Sequence, residues 1–203
     1  MRHKARKSHS LRNALIAIVV LMVVIGVVVV AYQISGGRPG SPSSGTKVLL
    51  VTSMGNITLE LYEDMSITTG NFRNLTEHGI YDETIFHRVA KGFVIQGGDA
   101  TSKGIAVPPI QDELPNKHSN VRGSVAMAKT SLPNSATSQF FINLNDANAA
   151  TLDSNYSVFG RVISGMDVVD NISQVPINPT DPQNPTDGKP LQDVTLIKAQ
   201  IIG

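Results

Sequence analysis

The residues that can do acid–base, nucleophilic or metal chemistry are spaced in a way that excludes several classes of enzyme. The chain has no cysteine, which excludes a cysteine nucleophile, disulfides, thiolate zinc sites and iron–sulfur clusters. His78, His87 and His118 lack helix-spaced partners for a metal site. His87 and Asp99 can be imagined with a serine as a hydrolase triad, but the chain has no Gly-x-Ser-x-Gly turn. The arginines, Arg88 among them, are permanently charged donors, and an isolated arginine is usually a solvated surface charge.

Arg88 lies in the first of several short motifs that follow one another between residues 86 and 162. These motifs read FHRV at 86–89, GFVIQGGD at 92–99, GSVAMA at 123–128, SQFFI at 138–142, LD at 152–153 and VFGRV at 158–162. In order and spacing they resemble the cyclophilin family of peptidyl-prolyl cis–trans isomerases. The resemblance extends over Val48 to Ile202 and is strongest to the compact single-domain microbial type.

The resemblance implies a site at which an Xaa–Pro peptide is bound and turned without any cofactor. The catalytic arginine of the family falls on Arg88. The residues implied to bind substrate are Phe93, Val94, Gln96, Met127, Ala128, Gln139, Phe141, Leu152, Tyr156 and His87. Within this set, Phe93, Val94, Phe141 and Leu152 match the proline pocket, Gln96 is its polar partner, Met127 and Ala128 line the groove, and Gln139 supports the strand that carries Phe141. His87 is placed at the rim.

These residue types suit rotation about a prolyl peptide bond. The barrier is near 20 kcal/mol because amide resonance must be broken. In the twisted state the nitrogen recovers a lone pair and the carbonyl loses part of its charge. A cationic donor such as Arg88 can therefore stabilise the nitrogen, while an apolar wall holds the pyrrolidine ring.

Four positions depart from the common patterns of the family, and the first two depart from its more familiar eukaryotic pattern. Thr151 stands where many members have a tryptophan, so tight cyclosporin binding is not predicted. Tyr156 stands where they have a histidine, and it keeps an aromatic body with a polar tip. Val94 replaces a common methionine, and Lys129 stands where asparagine is usual.

The elements that must position these residues are mainly strands. Alternation and turn residues predict the hairpin Val48–Thr52 and Ile57–Tyr62. Six further strands are predicted at Thr84–Val89, Phe93–Gln96, Gly123–Ala128, Gln139–Asn143, Ser157–Val162 and Val194–Ile202, with Phe86, Phe140 and Phe159 turned toward the core. Helices are predicted at Ser66–His78 and after Ser164, where Ser164-Gly-Met-Asp167 has the pattern of a capping box. Five prolines between Pro176 and Pro190 predict a loop. The family resemblance implies a closed eight-stranded antiparallel β-barrel capped by two α-helices.

The beginning of the chain predicts a membrane anchor. Residues 14–33 contain an apolar run of about 19 residues without a charge, roughly 28 Å of helix against a hydrocarbon core of ~30 Å. A signal peptide would have a shorter apolar run and a small-x-small cleavage site, which Tyr32-Gln33-Ile34 does not offer. We therefore expect one transmembrane helix, although cleavage to a secreted form remains the alternative. Residues 34–46 are rich in Gly, Ser and Pro and predict a flexible linker to the domain at 47–203.

Charge predicts the orientation of that anchor. Residues 1–13 carry five bases, Arg2, Lys4, Arg6, Lys7 and Arg12. Only Arg38 and Lys47 follow the span closely, so the positive-inside bias keeps the N-terminus in the cytoplasm. The isomerase-like domain is then expected outside the cytoplasm, on a single-pass protein of the cell membrane.

The charge balance also restricts the partners. The formal net charge is +1, and residues after Asn13 carry 12 bases against 16 acids, so binding to nucleic acid is not expected. The expected partners are proline-containing peptides and unfolded or exported proteins, and we expect a monomer. A proline-peptide binding module with little turnover is the alternative function.

Overall fold

The computed structural model describes residues 45–203. The predicted basic N-terminus (1–13), the predicted transmembrane helix (14–33) and all but the end of the predicted linker (34–46) lie outside the described residues. Within residues 45–203, none of the helices has the length and apolar character needed to cross a membrane.

One antiparallel sheet of eleven strands forms the domain. The strands are β1 (Lys47–Thr52), β2 (Gly55–Leu61), β3 (Thr84–Ile85), β4 (Arg88–Ala90), β5 (Val94–Gly97), β6 (Ser124–Met127), β7 (Phe140–Asn143), β8 (Val158–Ser164), β9 (Ile177–Pro179), β10 (Asp187–Pro190) and β11 (Thr195–Ile201). Their order in the sheet is β3-β11-β1-β2-β8-β6-β7-β5-β4-β10-β9. The protein is therefore mainly β, as predicted.

The expectation of eight strands closed into a barrel is wrong in the number of strands, and among residues 45–203 the end strands β3 and β9 are not paired with each other. The predicted strand Thr84–Val89 is divided, because β3 pairs with β11 whereas β4 pairs with β5 and β10. The predicted proline-rich loop contains the hairpin of β9 and β10. Pro179 lies on the end strand β9, where a missing backbone donor is tolerated, and Pro190 is the last residue of β10.

Helices cover parts of the sheet, and both predicted ones are confirmed. Helix α1 (Ser66–Glu77) buries Phe72 and Leu75, and helix α3 (Met166–Ser173) buries Val169 and Ile172. A short helix α2 (Ala149–Leu152) and the 3-10 turns Ala100–Lys103 and Asp146–Asn148 were not predicted.

The N-termini of the two longer helices differ from the predicted caps. The predicted capping box at Ser164 is not formed, because Ser164 still pairs with β2 and Gly165, with φ of +87°, makes the turn into α3. Helix α1 has no side-chain cap of its own at Met65. Instead, the Glu113 carboxylate accepts from the backbone N–H groups of Ile67 and Thr68 at 3.1 and 2.7 Å. A distant acidic side chain thus satisfies free donors of the first helical turn.

The main core lies between the sheet and helices α1 and α3. Its centre is a cluster of aromatic rings in which Phe72 meets Tyr81, Phe140 and Phe159 at centroid distances of 4.8, 5.4 and 4.9 Å. Phe86 approaches Phe140 at 6.2 Å. The prediction that Phe86, Phe140 and Phe159 are core residues is confirmed, since all three are almost fully buried.

Candidate functional site

The central strands β5, β6 and β7 carry apolar side chains on both faces. Ile95, Val125 and Ile142 belong to the main core. Val94, Ala126 and Phe141, one position away on the same strands, are part of a second apolar group on the opposite face, which we call the outer cluster. It consists of Ala90, Val94, Ala126, Ala128, Phe141, Leu152 and Val158, with Tyr62, Phe93 and Tyr156 packed against it. Alternation along a strand separates these two groups.

The outer cluster opens into a cavity of about 140 Å³. Five of its lining residues, Phe93, Val94, Ala128, Phe141 and Leu152, are apolar, so the cavity suits one small apolar group. Its lining is Arg88, Phe93, Val94, Gln96, Ala128, Lys129, Phe141, Leu152 and Tyr156. The rings of Phe141 and Tyr156 meet edge to face at 5.4 Å and 86°. The cavity is therefore an apolar notch with polar and charged groups at its edge.

Arg88 is held firmly at that edge. Its Nε donates to Asp187 Oδ1 at 2.9 Å and its Nη2 to Asp187 Oδ2 at 2.6 Å. Its Nη1 donates to Gln96 Oε1 at 3.2 Å, and its Cζ lies 6.0 Å from the Phe93 ring centroid. The Arg88 side chain is still 36% exposed. An ordered guanidinium therefore faces both the cavity and the solvent.

Gln96 and Gln139 continue this hydrogen-bond chain. Because a guanidinium can only donate, Gln96 must present its Oε1 to Arg88. Its Nε2 is then free to donate to Gln139 Oε1, at 2.9 Å. The arginine thus fixes the orientation of the Gln96 amide on β5 and, through it, that of Gln139, the residue that precedes β7.

Most of the predicted site residues meet around the cavity. Those lining it are Arg88, Phe93, Val94, Gln96, Ala128, Phe141, Leu152 and Tyr156. Gln139 lies beside it through its hydrogen bond with Gln96. The contribution of Leu152 and Tyr156 depends on α2, the unpredicted helix that ends at Leu152.

Two predicted residues lie elsewhere. Met127 was expected on the groove, but it is 2% exposed and packs in the main core, because it alternates with Ala126 and Ala128 along β6. His87 does not line the cavity, and its Nδ1 is buried without a hydrogen-bond partner. Burial lowers the pKa of His87, and Asp99 partly opposes this effect.

Two residues of the site were not predicted. Asp187 lies in the proline-rich segment read as a loop, whereas the structure makes it the first residue of β10, and no local signal in the sequence marks it as a site residue. Lys129 had been noted only as a departure from the family, yet it lines the cavity. Its Nζ lies 2.6 Å from Asp112 Oδ2, and both side chains are 12% exposed.

The surface of the described residues has two further depressions, one next to this site and one that shares no residue with it. One of about 160 Å³ adjoins it and shares Gln96, Ala128 and Lys129. A larger apolar depression, of about 560 Å³, lies between the β1–β2 turn and residues 191–194. It shares no residue with the Arg88 cavity, and Asp193 is its only charged lining residue among those described.

Comparison with known proteins decides the family. The family model described as "Cyclophilin type peptidyl-prolyl cis-trans isomerase/CLD" matches residues 47–201. The chain belongs to the cyclophilin-type peptidyl-prolyl cis–trans isomerases. It is 45% identical over 166 residues to a peptidyl-prolyl cis–trans isomerase of Acinetobacter baylyi, covering 78% of this chain and 86% of the relative. It is 38% identical over 185 residues to peptidyl-prolyl cis–trans isomerase A of Dickeya dadantii, covering 86% and 97%.

The cyclophilin fold is supported by solved structures as well. A cyclophilin-type isomerase of Cryptosporidium parvum, crystallised in the presence of the dipeptide Ala-Pro, superposes with a TM-score of 0.66 at 30% identity. The match covers 77% of this chain and 99% of that protein. Because family model, relatives and fold agree, this cyclophilin is a peptidyl-prolyl cis–trans isomerase.

Proposed function

We propose that this cyclophilin catalyses isomerisation at the Arg88 cavity, with the proline ring of the substrate held by the outer cluster. The observation that carries the proposal is the position of the Arg88 guanidinium at the rim of an apolar notch lined by Phe93, Phe141 and Leu152. The Cryptosporidium parvum relative was crystallised in the presence of the dipeptide Ala-Pro, and a proline ring is the ligand chemistry that such an apolar notch fits.

Catalysis here needs no bond to be broken. As the prolyl amide twists, its nitrogen gains a lone pair that accepts a hydrogen bond from Arg88. The less dipolar twisted amide is favoured next to Phe93 and Phe141 rather than in water. A rate of ~10 per second is roughly a thousandfold above the uncatalysed rate, which corresponds to about 4 kcal/mol. A charge-assisted hydrogen bond of about 1.5–3 kcal/mol supplies a large part of that amount.

The test of the catalytic role is an exchange measurement on an Ala-Pro peptide by NMR. We expect Arg88→Ala to lower kcat/KM about a hundredfold without losing the fold. Arg161→Ala is the matched control, because Arg161 also pairs with a carboxylate, Glu60, but lies outside the cavity. Equal rates for wild type and Arg88→Ala contradict the proposed mechanism.

The same experiment separates the second candidate function, a proline-peptide binding module with little turnover. A binding module gives shifts of the cavity resonances on addition of peptide, without faster cis–trans exchange of the peptide itself. The family membership favours the enzyme over this alternative.

We also propose that the enzyme is tethered to the membrane and acts on exported proteins outside the cytoplasm. The support is the apolar run within residues 14–33, the bases concentrated before it and the Gly/Ser/Pro-rich segment after it. External protease added to intact cells is the test on the full chain. We expect the domain to be digested while a cytoplasmic marker survives, and the protein to leave the membrane fraction when residues 14–33 are deleted.

A further inference from the structure

The hairpin of β9 and β10 forms one wall beside the catalytic arginine. Strand β10 pairs with β4, with Asp187 opposite Ala90 and Gly188 opposite Val89. Lys91 N–H donates to Thr186 O at 2.8 Å and extends this pairing. A side chain at Gly188 would overlap the carbonyl oxygen of Asn178 on β9, so the two strands are packed closely here. The backbone therefore fixes where the Asp187 side chain begins.

The Asp187 carboxylate accepts two hydrogen bonds from the Nε and Nη2 edge of the Arg88 guanidinium. The Nε and Nη2 atoms face the two carboxylate oxygens at 2.9 and 2.6 Å, and Nε also lies 3.2 Å from Oδ2. This arrangement is the bidentate pairing that fixes the plane of an arginine as well as its position. The Asp187 side chain is only 18% exposed, whereas Arg88 is 36% exposed. The carboxylate is thus the shielded partner and the guanidinium the accessible one.

The pairing decides which donors of Arg88 stay available. A guanidinium has five N–H groups in a fixed fork. Asp187 takes the Nε–H and one on Nη2, and Gln96 takes one on Nη1. One N–H group on Nη1 and one on Nη2 therefore have no protein partner among these contacts. When the guanidinium plane is aligned with the Asp187 carboxylate, its Nη1 points toward Gln96 at the rim of the cavity.

We propose that Asp187 is a positioning residue for catalysis, which holds the Arg88 guanidinium in one plane so that its free N–H groups face the substrate nitrogen. The proposal rests on the catalytic role of Arg88 proposed above. It makes the proline-rich segment, through β10, part of the active site. Preorganisation of this kind raises turnover more than binding, because the donor is needed most in the twisted state.

The experiment uses the full chain and the substitutions Asp187→Asn, Asp187→Ala and Asp187→Glu. Asp193→Asn is the matched control, since Asp193 forms an exposed ion pair with Lys189 in the same segment. Asp187→Asn keeps the shape of the side chain but removes its charge and one acceptor. We expect kcat for an Ala-Pro peptide to fall about tenfold in Asp187→Asn and further in Asp187→Ala, with KM changed less than twofold. Asp187→Glu restores part of the loss, and Asp193→Asn behaves as wild type.

A second readout follows Arg88 itself. Hydrogen exchange of the Arg88 Nε–H, measured by NMR, is expected to be slow in wild type and at least tenfold faster in Asp187→Asn, with the melting temperature showing that the variant is folded. This signal does not depend on turnover, and in a folded variant it reports directly whether the side chain at position 187 still holds the Arg88 Nε–H.

The possible failures are distinguishable. A kcat for Asp187→Asn within twofold of wild type, while Arg88→Ala is impaired, overturns the positioning role and leaves the proposed mechanism intact. A kcat for Arg88→Ala equal to wild type overturns both. Unchanged Nε–H exchange in folded Asp187→Asn also overturns the positioning role, whatever the rates. Should Asp187→Ala fail to fold, Asp187→Asn and Asp187→Glu decide the question.

Discussion

Two neighbouring phenylalanines show how one strand serves both the fold and the site. Phe140 and Phe141 are consecutive on β7 and are 0% and 3% exposed. Phe140 meets the edges of Phe72 and Tyr81 in the main core, at 5.4 and 5.6 Å. Phe141 meets Tyr156 on the opposite face and lines the cavity beside Arg88. Almost equal burial therefore corresponds to different roles.

The difference lies in what surrounds each ring. Phe140 is enclosed by other side chains of the protein, so its contacts contribute to the stability of the fold and none is open to a ligand. Phe141 has the cavity on one side, where contacts remain to be made by a ligand. We therefore expect stability to depend mainly on the main core, and substrate binding to depend on the outer cluster.

The largest effect that tests this separation is loss of the Phe140 ring. We expect Phe140→Ala to lower the free energy of unfolding by about 3–5 kcal/mol, because a large cavity is left among rigid rings. Denaturant titration followed by circular dichroism measures it. A cost below about 1 kcal/mol would show that the main core does not depend on this ring.

Phe141→Ala is expected to reverse the pattern. Its kcat/KM for an Ala-Pro peptide should fall more than tenfold, because the wall that holds the proline ring is removed. Its unfolding free energy should fall by roughly 2 kcal/mol, less than for Phe140→Ala, since one side of the ring already faces the cavity. The separation of roles is wrong if Phe141→Ala unfolds as easily as Phe140→Ala and retains full activity when folded.

Two glycines test the packing around Phe140, with smaller expected changes in the free energy of unfolding. Gly98 and Gly92 have φ of +76° and +73°, so alanine is strained at both. A Cβ at Gly98 would lie 2.7 Å from the Phe140 ring and 2.9 Å from the Tyr81 ring, whereas nothing lies within 4 Å at Gly92. We expect Gly92→Ala to cost about 1 kcal/mol and Gly98→Ala about 1–3 kcal/mol more. Urea unfolding of both variants measures the difference, and equal costs would contradict close packing of the core against Gly98.

The smallest expected effect concerns His87, between Phe86 of the main core and Arg88 of the site. Burial lowers the pKa of His87 below its usual value of 6.5. Between its lowered folded-state pKa and 6.5, His87 is more protonated in the unfolded chain than in the folded protein. The free energy of unfolding therefore falls as the pH is lowered from above 6.5 toward the folded-state pKa. Urea midpoints between pH 7.5 and 5 should fall less in His87→Gln than in wild type. Parallel curves would show that His87 titrates normally in the folded protein.

Several elements and residues were predictable because their signals are local. Alternation along Ile57, Leu59 and Leu61 predicted a strand with one buried face, and the structure buries all three. The three-residue spacing of Phe72 and Leu75 likewise predicted the inner face of helix α1, and both are buried. The ordered motifs from residue 86 to 162 were specific enough to identify the family, and most of the residues that it implied line one cavity.

Met127 was placed on the groove by the family resemblance, although its alternation with Ala126 and Ala128 along β6 puts it on the inner face, in the main core. Other features depend on which strands lie side by side. The division of Thr84–Val89 into β3 and β4 follows from pairing with different partners, β11 and β5. A pattern within six residues cannot report such a change of partner.

The sequence by itself determined the periodicities, the turns and the motifs that identify the family, the one around Arg88 included, since each is carried by residues close together in the chain. The contact between Arg88 and Asp187, which are 99 positions apart, was decided by tertiary structure alone. It requires β10 to form inside a proline-rich segment and to pair with β4 in one register. Because a shift of one residue would turn the carboxylate to the other face of the sheet, only the assembled strands place it on the guanidinium.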